Sequence, residues 1–314
     1  ATIDVARQVT SVDLTFVSLE TSESVMVSAA LGRRELDAPA PAGSRLGLTP
    51  RETPATVDVI TFVEAQERGL RTAVEALASV PAVTAAFLPS AQGITTIRGF
   101  SGGAVSQLMD GTRVTTSTMV ARNYDSWNFD RIEVLKGPAS VLYGEGALAG
   151  AVNFVPKRPD FTGRRGEALF SYGALGTARM AAGATGPVGR GRAAYRADIV
   201  WNKSDGYMHD SGSNNLQLNG AIDVKLSGTA TIGVAVDHFH DDYGAADFGS
   251  PLVPRTLARQ PSDLVADSRG WVVDEAIRRT NYNVDDAIID VRTTWVRSKL
   301  DWQITPRWKL ANDL

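Results

Sequence analysis

The sequence contains no cysteine among its 314 residues and only three histidines. Without cysteine, disulfide bonds, thiolate metal sites and cysteine nucleophiles are excluded. The sequence also lacks a run of about 18 apolar residues, which argues against a helical membrane protein. Acidic residues outnumber basic ones by 35 to 32, which gives a formal net charge of −3. This balance argues against a general affinity for nucleic acid.

Two long segments with different patterns follow a mixed N-terminal region. Residues 1–20 predict either a short strand pair or the tail of a preceding domain. Residues 21–56 begin with the extended run ESVMVSA and continue as a proline-rich linker. Residues 57–160 mix helical and strand patterns and predict an α+β domain, whereas residues 161–314 alternate. The sequence begins without a signal peptide and ends inside an alternating segment, so we expect it to be part of a longer chain.

Local patterns in the α+β domain predict one helix and several strands. The spacing of Leu70, Val74 and Leu77 is helical, and we expect this helix to end at Pro81. The segments GITTIRGF and RIEVLKG have the composition of strands. QLMDGTRV predicts two strands that are joined by a tight turn at Asp110-Gly111.

From about residue 166 onward, apolar and polar residues alternate with a period of two. This period is typical of strands that have one apolar and one polar face. The alternating stretches lie at 167–173, 177–186, 192–203, 216–226, 230–237 and 296–304, and another begins at 307. The pattern therefore predicts six strands and the start of a seventh.

The connections between these strands alternate in length. Tight joins lie near 187–191, 227–228 and 305–306, and the intervening ones lie at 174–176, 204–214 and 241–292. Outer-membrane barrels have short periplasmic turns, longer extracellular loops and aromatic girdles. Aromatic residues near the strand ends are Tyr172, Tyr195, Trp201, Trp295, Trp302 and Trp308. The pattern favours a transmembrane barrel, and the alternative is a secreted β-sandwich with one wet face.

Several motifs resemble those of TonB-dependent outer-membrane receptors. RIEVLKGPASVLYGEGALAGAVNFVPKRP (131–159) resembles the end of their plug domain, and TTIRGF (95–100) and MDGTRV (109–114) resemble two further plug motifs. ESVMVSA (23–29) lies where the family has its TonB box. GYMHD, FGSPL, NYNVDDA and WVRSKLDWQITPRWKL resemble the early barrel of the ferric-siderophore branch. The resemblance covers residues 21–314.

The resemblance implies an α+β plug domain followed by the antiparallel transmembrane β-barrel strands of an incomplete 22-stranded barrel. Twenty-two strands of about 10 residues need about 220 residues, more than remain after the plug. The expected domains are an N-terminal tail (1–20), a TonB box and linker (21–56), the plug (57–160) and the first barrel strands (161–314).

The implied function is TonB-dependent uptake of a ferric siderophore across the bacterial outer membrane, without catalysis and without a cofactor. The implied partners are TonB, a ferric siderophore and outer-membrane lipid. Haem, cobalamin or a glycan are alternative nutrients, because the plug motifs are shared among receptors for all of them. A signalling domain before Ala1 would make the protein a transducer as well.

Candidate ligand contacts lie in MVARNYDSW (119–127), a region that the family uses as an apical loop. Aromatic faces and an arginine suit an anionic chelate. The candidates are Arg122, Asn123, Tyr124 and Trp127, with Phe100 and Gln107 as weaker ones. The alternative is that Tyr124 and Trp127 pack inside the plug.

The predicted TonB box would bind TonB by strand addition, in which backbone hydrogen bonds supply the affinity. It consists of Glu23, Ser24, Val25, Met26, Val27, Ser28 and Ala29. The alternative is an ordinary linker strand. We also expect the plug charges Arg131, Glu133 and Lys136 to pair with wall charges such as Arg196 or Asp223.

The glycines Gly144, Gly146 and Gly150 miss the dinucleotide-binding fingerprint by one residue. A structural role is favoured, in which glycines allow tight packing where the plug ends. Ala149 replaces the glycine that is usual in the family, so its φ angle should be negative.

Two other motifs suggest chemistry. GFSGG (99–103) matches the pattern of serine hydrolases and makes a secreted β-rich hydrolase using Ser101 the alternative from another class. The residues that follow predict a strand rather than the required helix. His238 and His240 precede Asp241 and Asp242 and could bind a metal. A polar strand end entering an extracellular loop is the favoured interpretation.

Overall fold

The chain forms an α+β domain that lies against one face of a larger antiparallel sheet. The computed structural model describes residues 12–17, 22–27, 40, 42–43, 48–88, 91–115, 119–120, 124–139, 143, 147–246 and 250–313. Predicted site residues outside this part of the chain are Ser28, Ala29, Arg122, Asn123, Gly144 and Gly146. In the described ranges, no helix is both long and apolar enough to cross a membrane.

The N-terminal region contains a β-hairpin. Strand β1 (Val12–Val17) pairs antiparallel with β2 (Ser22–Val27). The predicted strand pair therefore exists, but its second strand lies beyond residue 20. Because β2 contains residues 23–27 of the predicted TonB box, one edge of that segment is already hydrogen-bonded.

The α+β domain contains a five-stranded sheet, a three-stranded sheet and two short helices. Its elements are β3 (Thr56–Thr61), α1 (Phe62–Glu67), α2 (Ala73–Ala78), β4 (Val83–Leu88), β5 (Ala91–Ile97), β6 (Val105–Met109), β7 (Thr112–Thr115), β8 (Met119–Val120), β9 (Phe129–Lys136) and β10 (Gly150–Pro156). The five-stranded sheet has the order β3-β9-β10-β6-β7, and the other sheet has the order β4-β5-β8. β10 runs parallel to β6 and antiparallel to β9.

The prediction of a single helix through Leu70, Val74 and Leu77 was wrong, because two helices replace it. After α1 the chain turns at Gly69, whose φ angle is +68°. A capping box then starts α2: the Thr72 side chain accepts from the Glu75 amide, and the Glu75 carboxylate accepts from the Thr72 amide. The capping box satisfies free amides at a new helix start and so favours a break at this position.

The core of the α+β domain lies between α2 and the five-stranded sheet. α2 buries Ala73, Val74, Ala76 and Leu77. These side chains belong to a cluster with Val105, Met109, Phe129, Ile132, Val134, Val152 and Phe154. Because β9 and β10 are central strands, both of their faces are largely buried.

Two tight positions shape this sheet. Asp110 and Gly111 have φ angles of +51° and +86°, so the predicted turn between β6 and β7 is confirmed. Gly150 has a φ angle of +153°, and a Cβ atom there would lie 2.1 Å from the Leu135 carbonyl oxygen. Ala149 is not among the described residues with positive φ, as predicted.

The second half of the chain forms an open antiparallel sheet and a smaller one. The elements are β11 (Arg165–Tyr172), β12 (Ala178–Val188), β13 (Ala193–Ser204), β14 (Ser213–Lys225), β15 (Ala230–Gly244), β16 (Leu252–Pro254), β17 (Pro261–Ala266), β18 (Trp271–Asp274), β19 (Ile288–Thr305) and β20 (Trp308–Asp313). The large sheet has the order β11-β12-β13-β14-β15-β19-β20. The six predicted strands and the start of a seventh are confirmed. Within the described residues the sheet does not close on itself, since β11 and β20 each have one neighbour.

The predicted alternation of the connections is also confirmed. Short turns join β12 to β13, β14 to β15 and β19 to β20, while the remaining connections span 173–177, 205–212 and 245–287. The longest connection contains the small sheet of β16, β18 and β17, which the sequence reading treated as loop. All longer loops therefore lie at one end of the large sheet.

The large sheet is apolar on its exposed face and polar on its buried face. Ile199 is 46% exposed, whereas Asp198 and Arg196 beside it on β13 are 6% and 9% exposed. Other exposed apolar residues of the sheet are Phe170, Met180, Leu218, Ile222, Val234, Val236, Val296 and Leu310. A soluble sandwich would bury its apolar face, so this arrangement excludes the sandwich and fits a wall whose outer face meets lipid.

We expect Gly150→Ala to destabilise the α+β domain by about 2 kcal/mol or more, because the new methyl group meets a backbone oxygen at a positive φ angle. Chemical unfolding of the full-length protein, followed by tryptophan fluorescence, measures this change. Gly103→Ala is the matched control, since no atom lies within 4 Å of a Cβ at that position. Equal stability of the two variants would contradict the packing described for Gly150.

Candidate functional site

The large sheet of β11–β15, β19 and β20 is called the wall. The buried carboxylate of Asp125 joins the α+β domain to it. Asp125 caps the short 3-10 turn Ser126–Asn128, where its Oδ1 accepts from the Trp127 amide at 2.8 Å. Arg179 of β12 donates from Nε to Oδ2 at 2.9 Å and from Nη2 to Oδ1 at 2.6 Å. Asn202 of β13 donates to Oδ2 at 3.1 Å. A buried carboxylate requires such partners, and here two strands of the wall provide them.

Gln217 of β14 provides a second polar contact with the same turn. Its Oε1 accepts from the Asp125 amide at 3.1 Å and from Asn128 Nδ2 at 2.5 Å. Its own Nε2 donates to Asn215 at 2.6 Å. Three neighbouring wall strands therefore hold one turn of the α+β domain.

Trp127 lies between the two halves of the structure and is 3% exposed. Its Nε1 donates to Asp198 at 3.1 Å, and Asp198 in turn accepts from Arg196 Nε at 2.6 Å. The indole packs edge-on against Phe62 at 5.6 Å and forms a cluster with Ala181 and Val200. Trp127 is therefore buried at the boundary between the α+β domain and the wall, rather than inside the plug alone.

Tyr124 contacts the wall from the neighbouring position. Its ring centroid lies 4.8 Å from that of Phe239 on β15 and 6.1 Å from that of Phe129. Burial raises the pKa of Tyr124 to about 12, and the nearby carboxylate of Asp237 adds to the effect. The hydroxyl thus stays protonated and able to donate a hydrogen bond at physiological pH.

A second set of contacts lies nearer the short-turn end of the wall. Asp110 accepts from Arg158 at 2.9 and 2.8 Å and lies 3.7 Å from Arg297 of β19. Burial by itself raises the pKa of Asp110, but Arg158, Lys299 and Arg297 outweigh it and lower the pKa below its ordinary value. Asp110 is therefore ionised, and its carboxylate attracts the guanidinium group of Arg297 on the wall.

Lys157 makes the contact where the chain leaves the α+β domain. Its Nζ lies 2.8 Å from Glu167 of β11 and above the rings of Phe62 (3.6 Å) and Trp127 (4.3 Å). Burial lowers the pKa of Lys157, and the Glu167 carboxylate opposes this shift. The cation thus joins the α+β domain to the wall.

The expectation that Arg131, Glu133 and Lys136 pair with wall charges was wrong. Arg131 pairs with Asp130 at 2.9 Å and with Glu133 at 2.7 Å, and Lys136 pairs with Asp58 at 2.6 Å. The reason is topological, because β9 lies between β3 and β10. Arg196 pairs with Glu167 and Asp198 instead.

The other predicted ligand contacts lie in different places. Gln107 is 3% exposed in the middle of β6, and Phe100 is 63% exposed beyond the end of β5. Tyr124 and Trp127 are together at the wall, and Arg122 and Asn123 precede them outside the described residues. A ligand-binding role for these six residues stays a prediction.

His238 and His240 point away from the α+β domain, on the exposed side of β15. His238 Nδ1 lies 2.8 Å from Thr294 Oγ1, and His240 Nε2 lies 3.2 Å from Asp290. No cluster of three or more His, Asp or Glu residues in the described part of the chain could hold a metal ion.

After Ser101, a 3-10 turn (Gly102–Ala104) leads directly into β6, so the helix that a hydrolase would need is missing there.

Residues 49–151 match the family described as TonB-dependent Receptor Plug Domain. This part of the chain is a plug domain of the TonB-dependent receptor family. The chain is 31% identical over 194 residues to the ferric-pyoverdine M114 receptor PbuA of Pseudomonas sp.. This alignment covers 59% of the chain and 23% of that receptor. It is also 35% identical over 115 residues to the ferrioxamine receptor of Yersinia enterocolitica, in an alignment that covers 35% of the chain and 16% of that receptor.

Solved receptor structures share the fold. The outer-membrane ferripyoverdine receptor of Pseudomonas aeruginosa superposes with a TM-score of 0.71 at 22% identity, over 95% of this chain and 39% of its own. The siderophore receptor PiuA of Acinetobacter baumannii gives 0.71 at 20% identity, over 89% of this chain and 38% of its own. The chain thus spans less than half the length of each relative named here.

The family assignment settles several predictions. The chain is part of a TonB-dependent receptor, resembles the siderophore branch and lies in the bacterial outer membrane, as predicted. The receptor is not an enzyme, so the hydrolase alternative is excluded.

The sequence patterns did not single out Asp125 and Arg179. A signal was present, since Arg179 is a lone charge in the small-residue strand TARMAAGATG.

We expect Arg179→Met to lower the free energy of unfolding of the plug–wall assembly by about 3–5 kcal/mol, because it leaves Asp125 buried without its main partner. Thermal unfolding of the full-length receptor measures this loss. Arg190→Met, in the exposed turn between β12 and β13, is the control and should shift stability by less than about 0.5 kcal/mol. Similar effects of both variants would contradict a central role for this ion pair.

Proposed function

We propose that the full-length receptor takes up a ferric siderophore across the outer membrane, driven by TonB. The matched relatives include receptors for ferric pyoverdine and ferrioxamine, and this similarity supports a ferric siderophore as the cargo. The open sheet would be the first part of a 22-stranded barrel, which holds the plug in its lumen. Haem, cobalamin and glycans are the competing cargoes.

The long-loop end of the wall offers a surface suited to an anionic chelate. Tyr207, in the connection between β13 and β14, is 45% exposed. The guanidinium carbons of Arg278 and Arg279 lie 5.5 and 5.4 Å from its ring. Exposed aromatic and guanidinium groups attract a negatively charged aromatic or hydroxamate complex. We propose that these loops and the plug segment before Tyr124 receive the ligand.

TonB would bind at residues 23–29 by strand addition. Since β1 already covers one edge of β2, TonB either adds at the other edge or displaces β1. In both cases the partner is recognised mainly through backbone hydrogen bonds. A proline within β2 removes a backbone donor and disrupts this mode of binding.

The uptake test uses the full-length receptor in a strain that lacks other iron receptors. We expect radioactive iron to enter the cells from ferric pyoverdine, ferrioxamine or a related chelate, and to stay outside in a strain without TonB. Haem and cobalamin are the comparison cargoes. Growth on haem or cobalamin, with no ferric chelate relieving iron limitation, would contradict the proposed cargo.

We expect Val25→Pro to abolish uptake and to leave ligand binding at the cell surface unchanged, because it affects only the periplasmic strand. Surface binding and accumulation of the same labelled chelate separate the two effects. Undiminished uptake by the Val25→Pro variant would show that residues 23–29 do not form the TonB box.

A further inference from the structure

The chain between the predicted TonB box and the plug is inserted into the plug core. Ala40 and Ala42 are both fully buried. They belong to a cluster of buried side chains that comprises Val57, Leu108, Leu135, Ala139, Tyr143, Ala147 and Ala151. At Gly43 a Cβ atom would lie 2.8 Å from Val57 Cγ2, so the chain lies directly on β3. A linker that only spanned the distance to the plug would lie at the surface.

Both polar groups of the Ala42 backbone are held by plug side chains. The amide of Ala42 donates to Glu133 Oε2 at 2.8 Å. The carbonyl oxygen of Ala42 accepts from the Tyr143 hydroxyl at 3.0 Å. Glu133 is 0% exposed and Tyr143 is 8% exposed, so water does not compete with either bond.

Glu133 is itself fixed within the five-stranded sheet. Asn153 Nδ2 on β10 donates to its Oε2 at 3.1 Å, and Arg131 Nε donates to its Oε1 at 2.7 Å. Asn153 in turn accepts from the Gly111 amide at 2.8 Å. The carboxylate therefore joins the N-terminal segment to β9, β10 and the β6–β7 turn.

We propose that Glu133 and Tyr143 form a latch that holds Ala42 and bears the force when TonB pulls on residues 23–29. The inference rests on the proposed TonB-driven mechanism. Among the described residues, Ala40 and Ala42 are the first beyond β2 that are buried in the plug. Within the described residues, a pull on the TonB box thus loads the Ala40 amide, which donates to the Leu48 carbonyl oxygen at 3.1 Å, and the two bonds at Ala42 before it loads the sheet.

Release of the latch has a direct structural consequence. When Ala42 leaves, Glu133 loses one of its three donors and the cluster around Leu108 and Leu135 becomes open to water. An incompletely paired carboxylate in a newly wetted core weakens the contact between β9 and β10. The latch therefore couples movement of the N-terminal segment to loosening of the plug sheet.

The test is single-molecule pulling on the full-length receptor in a lipid bilayer, with the handle attached at residue 27, where the β1–β2 hairpin ends, and no TonB or ligand present. Tyr143→Phe removes only the hydroxyl, and we expect the first release event at constant force to become about fivefold faster, as for the loss of one hydrogen bond. Glu133→Gln removes the charge and should accelerate release about tenfold or more.

Ser126→Ala is the matched control, because Ser126 Oγ also donates to a backbone carbonyl, that of Leu70 at 2.7 Å, away from Ala42. Its first release event should match that of the parent. Unchanged release in Tyr143→Phe and Glu133→Gln, or equal acceleration in all three variants, would overturn the latch. Because the pull is applied directly, this result does not depend on which cargo is taken up. A failure of the proposed uptake would be seen separately in the transport assay.

Discussion

The large sheet has an apolar outer face and a polar inner face, and this polarity dictates where the plug must bind. Its apolar rows face outward, where lipid can cover them, so its charged and amide rows must face inward. These inward groups lose water and need partners. The plug supplies several of these partners, and in the described residues the bidentate pair between Asp125 and Arg179 is the most buried ion pair between plug and wall. Wall and plug therefore satisfy each other's polar groups.

The contacts of the plug divide into two sets with different positions. One set joins turns of the plug to the wall, through Asp125, Asp110 and Lys157. The other set, at Ala42, joins the N-terminal segment to the interior of the plug sheet. In the proposed mechanism, a force from the periplasm reaches the second set first, while the first set keeps the plug in contact with the wall. This separation allows the plug to loosen internally without leaving the wall at once.

Periodicity predicted the wall well, because alternation of apolar and polar residues reports directly on the two faces of a strand. The strands of the wall, their short connections and the turn at Asp110-Gly111 follow from such local signals. The plug was harder to predict. The helix through Leu70 was broken by the capping box at Thr72, whose local hydrogen bonds outweigh the apolar spacing. The small sheet within 245–287 has no comparable alternation.

Ion pairs were the least predictable feature, because they depend on which strand is central. Glu133 was expected to face the wall, yet β9 lies inside the plug sheet and Glu133 binds the Ala42 backbone 91 residues earlier in the chain. Asp125 escaped notice since its capping role and its wall contact come from a turn. The spacing of residues along the sequence does not predict which side chains come together in the fold.

Neighbouring residues on one wall strand should meet two different environments, lipid on one side and the plug on the other. This chain contains no cysteine, so once any cysteine outside it has been replaced, single labels can be introduced at Ile199→Cys and Val200→Cys in the full-length receptor within membranes. Ile199 is exposed on the apolar face, and Val200 is fully buried against the plug. A lipid-soluble quencher should act on the label at 199 and spare the label at 200. Equal quenching, or quenching at 200 alone, would contradict a wall that faces lipid on one side and the plug on the other.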